Sequence, residues 1–320
     1  MELKQLISLK RETEGILQKY NYVYEIKEFE SFQELQLYIQ TIKIHETIQH
    51  CKEGIANICE KIDNLDEKKL YLDFCYSTEN TEAITLQECL LITATDELIA
   101  WGKTVEIATL AYANPNICGQ TLSGVEMIIE GFEEVDAEFL KRVWQRYYRL
   151  PWTIAVTKRC VIRELTLEDM DGLFELYKDE EISKFTESLF DREEETEYQR
   201  AYIENMYRYF GYGIWLVFHK ETGELIGRAG LEHREVGEEL ELELGYLIGT
   251  NYQRQGYATE VCKAILIYAK EEICASCINC FIEEGNVASI TLAKKLGFTF
   301  LENFMENKKK MLRFHMQFIS

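Results

Sequence analysis

The sequence of 320 residues predicts an α/β protein of two domains, a helical and small α/β domain over residues 1–150 and a second α/β domain over residues 156–320. Three observations carry this reading. In the second half an apolar strand-like run, Leu242-Glu-Leu-Gly-Tyr-Leu-Ile-Gly249, enters a polar turn and continues as an amphipathic segment from Ala258 to Lys270. Around it, the last 160 residues interleave short apolar runs with helical periodicity and carry a hairpin signal at Glu221-Thr-Gly223. The first 150 residues instead read as helical spacing around one strand–helix–strand unit, and stop just before Pro151, one of only two prolines.

Taken in order, the spacing predicts helices over 2–20, 31–50 and 52–62, where apolar residues recur at helical intervals without breakers. Cys89-Leu-Leu-Ile-Thr-Ala94 reads as a strand, Asp96 opens a helix, 105–112 is a second strand, and 131–150 is a helix. In the second half 160–163 is a short strand. Thr166-Leu-Glu-Asp169 then opens a helix with a capping residue and early acids. A charged, then aromatic, helix follows over 191–210. Strands are expected over 212–218, 224–231, 240–248, 280–283, 299–303 and 311–319, with the lysine-rich stretch 306–310 as the last solvated turn.

Composition bounds the function classes. A hydrophobic fraction of 47% with 28% charged residues describes a folded chain, and its apolar runs are too short and interrupted to span a membrane. No basic region followed by an apolar stretch opens the chain, so a cytoplasmic location is expected. The net charge of −21, spread over both halves, argues against nucleic acid, whose binding rests on Lys and Arg. Of ten cysteines, Cys274, Cys277 and Cys280 have the spacing of a metal or cluster motif. Period-two alternation on a strand would turn Cys277 and Cys280 to opposite faces, and no fourth soft ligand is near, so no metal site is expected.

The most informative stretch is Asn251-Tyr-Gln-Arg-Gln-Gly-Tyr-Ala-Thr-Glu260. A strand that ends in such a turn and feeds a helix offers free N–H groups and the positive end of the helix dipole to an anion. Gly256 lets the backbone approach closely, and Ala258 keeps the first helical turn free of bulk. Downstream, Glu284-Gly-Asn-Val-Ala-Ser-Ile-Thr-Leu-Ala-Lys-Lys-Leu-Gly-Phe298 begins with Asn286 as a helix cap and ends with Gly297 as its stop.

With these four motifs in order (Gly245-Tyr246, Gln253 to Ala258, Asn286 with Ser289, Lys295 with Gly297-Phe298) the second half resembles the GNAT family of acetyl-CoA-dependent N-acetyltransferases. Within it, the likeness is to the branch that acetylates ribosomal-protein N-termini and its small-molecule relatives. The resemblance implies a mixed, mostly antiparallel sheet flanked by helices, and acetyl transfer to an amine-bearing small molecule or a peptide N-terminus. It implies that Tyr246, Leu247 and Ile248 pair with the pantetheine arm of acetyl-CoA. Gln253, Arg254, Gln255, Gly256, Tyr257, Ala258 and Thr259 would hold the pyrophosphate, and Asn286 would contact the pantetheine.

Amine acetylation needs a base. An ammonium of pKa about 10.4 is neutral in only one part in a few thousand at pH 7, which adds about 4–5 kcal/mol to the barrier. Glu243, just before the expected splay of strands, is the first candidate. Glu241, on the same face by alternation, is the second, with Glu232 and His233 weaker. The tyrosine that many relatives place seven residues after the asparagine is Ala293 here, so Ser289 or Tyr246 must serve as acid, or water must. That departure supports an alternative, an acyl-CoA-binding regulatory protein with little or no catalysis. The strand–helix–strand unit of residues 88–132 faintly resembles a haloacid-dehalogenase-like fragment. Such a phosphatase needs an Asp-x-Asp at a strand end, and the only one, Asp169-Met-Asp171, falls in an expected helix.

Overall fold

The computed structural model describes residues 1–13, 15–50, 84–236 and 239–318. Its chain forms two compact units, Met1–Leu150 and Pro151–Ser320. The helix expected over 52–62 lies outside the described residues.

Unit one is built on a parallel sheet of β1 (Gln5–Leu9), β2 (Glu25–Phe29), β3 (Cys89–Thr93), β4 (Ala108–Tyr112) and β5 (Ile128–Ile129), in the order β2-β1-β3-β4-β5. Both faces are covered. Leu6, Leu90, Ile92 and Leu110 pack with Leu140 and Trp144 of α3 (Ala137–Tyr147). Ile7, Leu9 and Leu91 pack with Leu35 and Ile39 of α1 (Phe32–His50) and Leu98 of α2 (Asp96–Val105). The single helix expected over 2–20 is thereby corrected. All five residues of Gln5-Leu-Ile-Ser-Leu9 are buried, because a parallel strand between two helical layers hides both its faces and shows no period of two. The strand order is a general doubly wound one and does not single out a phosphatase-like fold. At the strand ends, the Glu12 carboxylate is fully buried and accepts hydrogen bonds from Thr93 Oγ1 (2.6 Å), the Ala94 N–H (2.8 Å) and Thr95 Oγ1 (3.2 Å). That full satisfaction is what makes its burial tolerable.

Unit two is an eight-stranded sheet of β6 (Thr153–Val156), β7 (Cys160–Arg163), β8 (Ile214–His219), β9 (Leu225–Val236), β10 (Glu239–Ile248), β11 (Cys277–Glu283), β12 (Thr299–Glu306) and β13 (Lys309–Gln317). The order is β12-β13-β11-β10-β9-β8-β7-β6, and every neighbouring pair is antiparallel except β10–β11. This is the mixed, mostly antiparallel sheet flanked by helices that the motifs lead one to expect. The edge strand β6 has no counterpart in the sequence reading, and all but its last residue, Val156, precedes the expected start of the second domain. The solvated turn narrows to Asn307 and Lys308, whose φ of 47° and 66° suit a tight two-residue hairpin.

The longer helices of unit two are α4 (Met170–Leu176), α5 (Arg192–Tyr202), α6 (Tyr257–Glu271) and α7 (Val287–Leu296). Val261, Cys262, Ile265 and Ala269 of α6 lie buried in one core with Leu244 and Ile248 of β10, each large side chain contributing roughly 1.5–3 kcal/mol. Chain direction and alternation assign the sheet's two faces. Tyr246, opposite Ala229, reaches α7, whereas Glu232, two strand residues beyond Gly230, meets Tyr202 of α5. So α6 and α7 lie on one face and α4 and α5 on the other. Past Tyr202, α5 widens into a π turn over Ile203–Tyr207 and ends at Gly211, whose φ is 74°. Gly230 sits where strands cross closely, since a Cβ there would meet the Gly213 carbonyl oxygen at 1.9 Å.

Candidate active site

The two parallel strands at the centre of unit two barely touch. β10 pairs with β9 along its whole length, but its only registered partner on β11 is Glu243↔Asn279. Beyond Glu243 the strands diverge, and the β11-facing edge of Gly245, Tyr246, Leu247 and Ile248 is left without a partner strand among the described residues. An open strand edge is a template for an extended chain bearing amides.

The wedge leads to the turn before α6. Arg254 and Gly256 both have positive φ, 57° and 85°. A backbone that visits the left-handed region at alternate residues turns its N–H groups into one concavity. Those of Arg254, Gln255, Gly256, Tyr257, Ala258 and Thr259 find no acceptor among the described residues. A helix start alone orphans about four; this turn orphans six in a row. Arg254 is exposed, Gln255 donates from Nε2 to the Asn251 carbonyl at 2.8 Å, and Gln253 turns back to donate from Nε2 to the Ile248 carbonyl at 3.0 Å, fixing the exit of β10. Two cations border the concavity. Lys295 Nζ lies 3.5 Å from Thr259 Oγ1. Arg159 stacks its guanidinium 4.0 Å from the Tyr257 ring centre, bonds Glu260 Oε2 through Nε (2.8 Å), and donates from Nη1 to the Gln255 carbonyl (3.0 Å). Sequence reading missed Arg159, because it comes from the β6–β7 hairpin about a hundred residues away.

At the apex of the wedge are carboxylates. Glu243 lies opposite Glu232 in the β9–β10 register. It accepts from Arg234 Nη1 at 3.0 Å, and Arg234 also binds Glu306. Burial pushes the Glu243 carboxyl up, Arg234 pulls it down, and the neighbouring Glu232 and Glu306 add to the rise, leaving it above the ordinary carboxylate range. Glu241 is held more tightly, by Arg313 and by Asn279 Nδ2 at 2.9 Å. Glu232 has no arginine; its carboxylate accepts from the Tyr202 hydroxyl at 2.9 Å. His233 points to the other face, its Nε2 2.7 Å from the Tyr212 hydroxyl. Alternation would have predicted that separation.

The start of α7 closes the wedge. Asn286 caps it, its Oδ1 accepting from the Ser289 N–H at 3.1 Å, and Gly297 stops it at φ 99°. The cap occupies Asn286 Oδ1 and leaves its Nδ2 for other contacts. Tyr246 spans from β10 and donates to the Ser289 carbonyl at 3.3 Å; burial raises its pKa far above the usual phenol, which keeps it protonated. Ala293 is fully buried in the core, so nothing at that position faces the wedge. On the opposite face Phe185, from the segment after α4, comes within 3.7 Å of a Cβ built on Gly285. Phe185 therefore stands beside the loop that leads from β11 into α7. β11 places Cys277 and Cys280 on opposite faces, Cys280 buried and Cys277 half-exposed.

Residues 159–299 match the family described as the acetyltransferase (GNAT) domain. The Bacillus subtilis protein described as uncharacterized protein YkkB is 30% identical over 146 residues, which are 45% of this chain and 84% of that protein. The uncharacterized N-acetyltransferase YnaD of the same organism is 29% identical over 142 residues, 44% of this chain and 79% of that one. A solved acetyltransferase (GNAT family) from Bacillus anthracis, 21% identical, covers 51% of this chain and 96% of its own with a TM-score of 0.43. By the family match over residues 159–299 and the likeness to YkkB, the chain belongs, through its second unit, to the GNAT acetyltransferase family.

Proposed function

We propose that the chain is an N-acetyltransferase that moves an acetyl group from acetyl-CoA to the primary amine of a small molecule or a peptide N-terminus. One observation supports this above the rest: the six unpaired N–H groups of Arg254 to Thr259, at the foot of an open strand edge. The residues present fit acetyl-CoA. The concavity suits a pyrophosphate, and the free edge of Tyr246 to Ile248 suits pantetheine amides. Acetyl-CoA, when bound, supplies the activated acyl thioester.

In this reading Glu243 takes the proton from the acceptor ammonium, directly or through water. Glu232 opposite keeps its proton affinity high, and Arg234 holds its orientation. The departing thiolate, itself a weak base, takes its proton from water or from the Ser289 hydroxyl at the start of α7, with Tyr246, whose acidity burial lowers, fixed against the Ser289 carbonyl. Ser289 thus contributes its carbonyl as an anchor for Tyr246 and its hydroxyl as a candidate donor.

Replacing Gly256 tests the site. At φ 85° any L side chain is strained, while a Cβ would still have ordinary room, 3.6 Å from Arg159 Nη2. Gly256→Val should therefore distort the concavity rather than block it, and weaken acetyl-CoA by at least about tenfold, or 1.4 kcal/mol. Calorimetry that finds parent affinity in the variant would remove the assignment.

A further inference from the structure

The face of the sheet beneath α4 and α5 carries a cation with no counter-ion. Arg228 lies on β9 opposite Leu247, four residues from Glu232 and on the same face. Its Nη1 donates to the Tyr177 hydroxyl at 3.2 Å, with that ring centre 6.0 Å away, and Tyr202 and Tyr207 are further phenols in its surroundings. Its Nε is sealed from solvent and has no hydrogen-bond partner, and no carboxylate of the described residues forms an ion pair with it. The other strand arginines described on this face are neutralised: Arg163 by Asp169, Arg234 by Glu243 and Glu306, Arg313 by Glu241 and Glu302. A guanidinium taken out of water without an anion is unfavourable, because one phenol replaces only part of its hydration. Arg228 as a whole keeps partial access to solvent, and the paired Nη groups of a guanidinium can meet a carboxylate in two parallel bonds.

Its place relative to the wedge is informative. Arg228 and Glu232 are separated by about 13 Å of strand, and the wedge opens between their rows, beyond Glu243. Tyr198 stands within electrostatic reach of both. It lies 6.1 Å from Tyr202 and 5.8 Å from Phe190, and its pKa is raised first by burial, then by Glu232, while Arg228 pulls it down. An aromatic wall thus runs along a strip with a carboxylate at one end and an unpaired guanidinium at the other.

We propose that the acceptor is a small zwitterion, an amine that also bears a carboxylate, and that Arg228 binds the carboxylate while the amine lies toward Glu232 and Glu243. This rests on the acetyltransferase reading and narrows it. An amino acid or a short peptide with a free C-terminus has the required chemistry. A long polypeptide acceptor, whose carboxylate is remote from the reacting amine, does not. Arg228 is then a specificity residue, bonded to substrate but away from the reacting atoms.

Thiol release is measured with matched acceptors, amino acids against their primary amides and a phosphate-bearing amine such as phosphoethanolamine. The parent should prefer acid over amide by fifty-fold or more in kcat/KM, with phosphoethanolamine as poor as the amides. Arg228→Gln should bring the ratio near unity through KM, with acetyl-CoA affinity by calorimetry unchanged. Equal rates for acid and amide in the parent overturn the proposal, as does an equal loss on both in the variant or a preference for phosphoethanolamine. If no acceptor turns over, calorimetry of the same acids with coenzyme A present decides: binding to the parent and not to the variant upholds it, and no binding to either overturns it. Failure of acetyl-CoA itself to bind would instead count against the function. Melting separates a structural role, since loss of an unneutralised cation should leave the midpoint unchanged or raised. A fall of several degrees would make Arg228 a fixture of the fold and overturn the proposal.

Discussion

Glu243 combines two opposing influences at one atom pair. Arg234 at 3.0 Å favours its charge, yet burial and the facing Glu232 leave its pKa raised. A carboxylate acts as base only when ionised, so the acid limb of kcat/KM should lie above the ordinary carboxylate range and disappear in Glu243→Gln. That variant should lose about 10²-fold or more in kcat with little change in acetyl-CoA affinity. Glu232→Gln, measured beside it, should shift the limb downward, because a neighbouring negative charge has gone. Full kcat in Glu243→Gln would pass the role to Glu232. Stability has the opposite sign. A carboxyl whose folded pKa is raised stabilises the fold below its unfolded pKa, and that contribution is lost as pH rises through the folded value. Glu243→Gln should therefore be no less stable than the parent at pH 7, with Arg234 still held by Glu306. Denaturation across pH 4 to 8 checks this.

Elements differ in how far their residues announced them. The turn at 251–260 was legible because Gly256 and Ala258 are local requirements of backbone geometry. The cap and stop of α7 were legible for the same reason, through Asn286 and Gly297. β1 was not, since burial on both faces erased its alternation, and β6 was not, being four residues long directly after Pro151-Trp152. The charge pairs of the site were out of reach as well. Arg234 meets Glu243 nine residues on but Glu306 seventy-two residues on, and such pairings exist only once the register is known. β6 also bears on the extent of the catalytic unit. We expect a fragment of residues 151–320 to fold alone and bind acetyl-CoA like the whole chain. One starting at 156 loses β6, leaves the edge of β7 bare, and should melt lower. Fragment melting curves test both statements, and an insoluble 151–320 fragment would show that the first unit is required.

On the scale of the molecule, unit one keeps its strand ends closed with its own Glu12. The net charge of −21 gives the whole chain an acidic field that attracts amines and repels acids. Arg228 is an enclosed exception to that field. A zwitterion entering the α5 face would be drawn by its ammonium and anchored by its carboxylate.

The single rung between β10 and β11 has a mechanical meaning. The sheet is two leaves, β6–β10 and β11–β13, and Glu243↔Asn279 is the tip of a crack between them. Stress at a crack tip falls when something is wedged in and bonded to both sides. A bound pantetheine arm would do this, turning a brittle seam into a laminated joint. Acetyl-CoA at a hundred times its Kd should then add about 2.7 kcal/mol to stability. The gain should appear as slower exchange of amides along both lips, Leu244 to Ile248 and Ile278 to Ile282, and much less in β6 to β8. Uniform slowing across all strands, or none at the lips, would mean that the leaves are already welded and that the seam bears no load.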